Sequence, residues 1–147
     1  MKKLPEVETA KALMTEAMNW SVMKWLREKK RVRATADKAN GAIDRMSEEI
    51  KLNWPDSLHA EYKLLSAKVG PESNSLGNAN SLGKVKAADD EAARARADAE
   101  ETFDEAERQL STRLAREGCR KAILSWELYE KANAAAEAVI NSKCPSV

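Results

Sequence analysis

Few side chains in this chain could take part in chemistry, and their spacing limits what it could be. His59 is the only histidine, and Asp56 precedes it by three positions, near enough on a helix for both to reach one metal ion. Di-metal helical bundles draw a Glu-x-x-His motif from each of two helices, so a single histidine excludes that arrangement within one chain. The simpler expectation is that Asp56 caps a helix and His59 lies on its surface. Zinc-finger spacing is absent. Neither Cys119 nor Cys144 has the Cys–His setting of a thiol nucleophile. On one continuous helix they would stand roughly 37 Å apart, far beyond disulfide reach. Two reduced thiols, with Cys119 buried and inert, are expected. The glycines of residues 74–83 lack the lysine and strand of a phosphate-binding loop. The sequence therefore predicts no catalytic residue, no cofactor, no metal site and no enzymatic activity.

Charge offers more. A basic run, Lys24, Arg27, Lys29, Lys30, Arg31 and Arg33, lies beside Trp20 and Trp25, and a second basic group spans residues 108–121. Such groups can grip phosphates or lie on an anionic surface with tryptophans inserted. The charges of the first run spread around a helix instead of filling one face, which favours solvated or paired side chains. The acidic run 98–107 lacks the ligand spacing of a calcium loop and reads as a solvated helix face. Overall, 25 basic residues nearly balance 24 acidic ones, so no global field draws the chain to polyanions.

The elements that must position these groups are helices. Residues 84–142 contain no proline, and the stripe Ala88, Ala92, Ala95, Ala99, Phe103, Ala106, Leu110, Leu114 falls on one helical face. Gly118 is a candidate kink. Upstream, Val32, Ala36, Ala39, Ile43, Met46 and Ile50 form a coiled-coil-like heptad stripe that keeps phase across Asn40-Gly41. Helices are predicted over about 6–53, 57–69 and 84–142. A polar connector over 70–83 carries the repeat Asn-Ser-Leu-Gly at 74–77 and 80–83.

Length fits one domain, residues 1–147. The fold class is all-α: a long antiparallel hairpin or bundle of two long helices and one short one. Two such rods cannot bury their stripes with one short helix between them. Either two hairpins dimerise into a four-helix bundle, the preferred solution, or the helices break and fold back. Alignment of the long helices is open. Apolar matching would set residues 13–26 beside 119–129, and charge matching would set the basic run against 98–107. Burial outweighs exposed ion pairs, so the apolar alignment is favoured.

The leading expectation is a non-enzymatic interaction or scaffold protein, homodimeric and cytoplasmic, with no transmembrane segment. Its candidate interaction surface is Met14, Met18, Trp20, Met23, Trp25 and Trp126. The first alternative is a nucleic-acid-binding protein acting through the two basic groups. The second is a small-ligand pocket in the core near the tryptophans.

Overall fold

The computed structural model describes residues 3–67 and 81–143, and every described element is an α-helix. Helix α1 spans Pro5–Ala17, α2 Val22–Leu52, α3 Asp56–Ala67, α4 Ser81–Gln109 and α5 Thr112–Lys143. Each predicted rod is thus two helices. The first breaks at residues 18–21, and the second at Leu110–Ser111. Asn40-Gly41 passes unbroken through α2, and Gly118 through α5. Residues 81–83, expected in the connector, are helical, and the rest of that connector and Cys144 lie outside the described residues. Asp56 falls in the first turn of α3, not at its cap, because the Pro55 carbonyl accepts from the His59 amide (3.2 Å).

Both breaks rest on a serine. Ser21 Oγ accepts from the Lys24 amide and Ser111 Oγ from the Leu114 amide, each at 3.2 Å. Each oxygen satisfies a donor that a new helix leaves orphaned. At the second break the Ser111 amide also donates to the Ala106 carbonyl at 3.1 Å, and Leu110 stands at φ 50°. This is the 6→1 closure that ends many helices, with leucine where glycine is usual.

Breaking the rods lets the chain bury its own stripes. Helix α1 runs back along α2, where Glu6 meets Arg45 at 3.5 Å, and it also lies on α5, where Lys11 meets Glu130 at 2.7 Å. Helices α4 and α5 pair antiparallel along their lengths, and α2 packs on α5. One core cluster joins α1, α2, α4 and α5 through Met14, Trp25, Ile43, Phe103, Cys119 and Trp126. A second, toward the other end, joins Ile50, Trp54, Leu58, Val85 and Val139. Large side chains so buried contribute about 1.5–3 kcal/mol each. Uncovered stripes would call for a second copy of the chain. Cover is supplied here within one chain.

Gly118 has a packing role. A Cβ there would lie 2.9 Å from Cδ1 and Cε1 of Phe103. Absence of a side chain lets that ring sit against the α5 backbone.

At the far end, the Tyr62 hydroxyl donates to Asp89, and Lys51 Nζ reaches Asp89 at 2.7 Å, so α2, α3 and α4 meet at one carboxylate. Burial, then the bond to Asp89, raises the Tyr62 pKa above the usual phenol range.

Two outcomes follow. Gly118→Ala should lower stability by about 1–3 kcal/mol through overpacking against Phe103, despite the roughly 1 kcal/mol that alanine gains in helix propensity; urea unfolding measures it. Because Tyr62 holds its proton in the native state and the unfolded chain releases it near pH 10, stability should fall as pH rises past that point. The urea midpoint of Tyr62→Phe should decline less steeply between about pH 9 and 11 than that of the parent.

Candidate functional site

The helix breaks bring the α1–α2 turn and the α4–α5 turn to the same end of the bundle. Trp20, Trp25, Phe103, Ala106 and Ala115 share one cluster there. Residues 19–33 carry six basic side chains and one acidic, and residues 108–120 carry four and one. Residues 98–107, which lead into the second turn, add six carboxylates to the same end, so which cations stay unpaired decides what the end presents. Exposed aliphatic side chains stand among these charges: Val22 (40%), Met23 (69%) and Leu110 (58%).

Not every cation is available. Arg33 donates from Nε to Glu107 (2.8 Å) and from Nη2 to Asp104 (2.7 Å). Burial pulls its pKa down, but these bonds outweigh it and leave the pKa raised. Lys24 and Arg31 sit over the Trp20 ring at 5.2 and 5.9 Å, and Arg31 also pairs with Glu28. Arg108 pairs with Glu105, Arg120 with Glu117, and Lys121 with Asp98. Among the described residues, Arg27, Lys29, Lys30, Arg113 and Arg116 have no ion pair; all but the half-buried Lys29 are exposed.

The two alignments weighed from sequence turn out not to be alternatives. Trp25 stacks on Phe103 at 5.8 Å and shares a core with Cys119 and Trp126, as apolar matching requires. Arg33 nevertheless faces the acidic run, as charge matching requires. Since the second rod folds back at Leu110, α2 has the acidic part beside it on α4 and the apolar part beneath it on α5.

The proposed Met/Trp surface is largely interior. Met14, Trp20, Trp25 and Trp126 are buried, Met18 is half-buried, and Met23 alone is exposed. Among the described residues the indole nitrogens of Trp20 and Trp25 have no hydrogen-bond partner, whereas Trp126 Nε1 donates to Asn40 Oδ1 at 2.8 Å.

A second candidate lies mid-bundle. Helices α2 and α4 flank a cavity of about 160 Å³ floored by Ala122, Ser125 and Trp126 of α5. Arg33 spans it toward one end, and Arg96, bonded to Asp44 at 3.0 Å, spans it toward the other. A narrow alanine face lets a neighbouring helix come close. Here Ala36, Ala99 and Ala122 leave room instead.

His59 is exposed, its ring 6.0 Å from Trp54, and Asp56 is exposed beside it. Among the described residues no group of three His, Cys, Asp or Glu side chains could hold a metal ion, and no helix is long and apolar enough to cross a membrane. Comparisons with protein-family models, with curated proteins and with solved structures find no match to this chain.

Sequence reasoning missed the breaks that build both candidates. The available signal was Ser21 and Ser111, each preceding an apolar helical run without a glycine or proline to draw notice. It also did not mark Asn40 as a buried partner of Trp126.

Cys119 is fully buried, and burial pushes its pKa to about 12. The thiol therefore stays protonated at neutral pH. In a Cys144→Ser background, iodoacetamide at pH 8 should label Cys119 only as fast as the protein opens, and promptly in denaturant; mass spectrometry follows the adduct.

Proposed function

We propose that this chain is a non-enzymatic helical interaction protein that engages an anionic partner through its basic end. The observation that carries this reading is that the fold-back brings two separated basic segments to the end of the bundle where Trp25 stacks on Phe103, with Val22, Met23 and Leu110 exposed within those segments. Arg27, Lys30, Arg113 and Arg116 supply exposed charge without an ion pair among the described residues, and the aliphatic side chains supply contact area. The long stripes are spent inside the chain, so docking through the tip replaces self-association along the rods.

Leu110 supports the same reading. A non-glycine residue in the left-handed region costs about 1–2 kcal/mol, yet this leucine is mostly exposed and adds little to the core. A residue kept at such a cost is suited to contact outside the fold.

Nucleic acid is the second reading, favoured by the charge alone. It needs the arginines and lysines but not the aliphatic tips.

Retention on immobilised heparin tests the charge. The chain should elute at raised salt, and the Arg27→Gln, Lys30→Gln, Arg113→Gln, Arg116→Gln variant should elute at clearly lower salt. Equal elution of the two removes the proposal. Leu110→Gly should raise stability by about 1 kcal/mol while weakening docking. A duplex-oligonucleotide shift assay separates the readings: steep salt-dependent binding that Met23→Ser and Leu110→Gly leave unchanged favours nucleic acid.

A further inference from the structure

The cavity between α2 and α4 has an asymmetric lining that the basic end does not explain. Its lining is mixed: the short side chains Ala36, Ala99 and Ala122 stand between the rings of Phe103 and Trp126, with charged side chains around them. The volume, about 160 Å³, is close to that of an engineered cavity of about 150 Å³ that admits benzene. Two polar side chains stand within it: Ser125, whose Oγ donates to the Ala122 carbonyl at 2.7 Å, and Asn40. Asn40 is buried to 7% exposure, its Oδ1 is taken by Trp126 Nε1, and its Nδ2 finds no acceptor among the described residues.

Charge at the mouth is one-sided once internal pairs are set aside. Arg33 is committed to Asp104 and Glu107, and Arg96 to Asp44. Glu100 is exposed, with only a 4.0 Å contact to Arg96, and Asp37 is exposed with no ion pair among the described residues. The carboxylates left over are therefore negative groups beside an aromatic-walled hole. Rigid helices supply every wall, so a ring entering it meets a largely pre-formed site.

We propose that this cavity binds a small cationic ring compound, an arylalkylamine in chemical class. The ring fills the space that Phe103 and Trp126 line, in contact with both side chains. The ammonium group stays at the mouth, where Asp37 and Glu100 accept its hydrogen bonds. An anionic ring compound meets the same two carboxylates and is rejected.

Three matched probes test this: 2-phenylethylamine, 2-phenylethanol and 3-phenylpropionate, titrated at millimolar concentration and followed by tryptophan fluorescence and by chemical-shift changes at the Trp126 indole. The amine should bind about tenfold more tightly than the alcohol, the worth of one charge-assisted hydrogen bond. The carboxylate should bind more weakly than the alcohol. Asp37→Asn with Glu100→Gln should bring the amine to the affinity of the alcohol without changing the alcohol. Ala99→Leu should abolish binding of both, and Ala36→Leu, filling the hole from the opposite wall, repeats the test if the first variant misfolds. No binding by any probe overturns the proposal outright. Equal binding of amine and alcohol, or preference for the carboxylate, overturns the cation preference and leaves a neutral ring site. Neither result bears on the basic end, whose heparin retention is measured separately.

Discussion

The fold depends on one constraint: apolar stripes longer than any neighbour in the chain must still be removed from water. A straight rod meets it only with a second molecule. This chain meets it by stopping each rod once and laying the remainder alongside, with α5 as the helix that most others touch. The local cost is small. Each break orphans a set of backbone donors, and one serine oxygen recovers part of them. The return is a core in which Met14, Trp25, Phe103 and Trp126 surround one another.

Ion pairs then add to the Trp25–Phe103 stack in setting the distance between α2 and α4. Helices α2 and α4 are joined mainly through side chains. Arg33 reaches Asp104 and Glu107, Arg96 reaches Asp44, and Lys51 reaches Asp89. These are partly exposed pairs, each of modest worth alone. Their effect is geometric: they clip two helices at intervals and leave a gap where alanines line both sides. Spending Arg33 and Arg96 inward also determines which charges remain outward.

Much of this was readable in the residues. The Val32-to-Ile50 stripe sits against the core as its period requires, and α2 runs through Asn40-Gly41 because the stripe keeps phase there. The alanine stripe holds from Ala92 to Ala106 and fails at Leu110, where the backbone turns left-handed and throws the side chain outward. Periodicity is blind to such a turn, since Leu110 continues the pattern in letters though not in space. Gly118 misled in the opposite sense. Its missing side chain is used by a neighbouring ring, and the helix passes through unbroken. The basic end was legible only as two separate runs; their meeting depends on the fold-back, which no local pattern encodes.

The two core clusters have one more consequence. Trp20, Trp25 and Trp126 belong to the cluster at the basic end, and Trp54 to the other, its indole nitrogen donating to the Ala136 carbonyl at 3.1 Å. The molecule thus carries an intrinsic optical label in each half. Emission from a variant retaining only Trp54 would report the opening of α3 and its surroundings, while the other three indoles report the four-helix half. Whether the bundle melts as one cooperative unit or as two can be read from its own light.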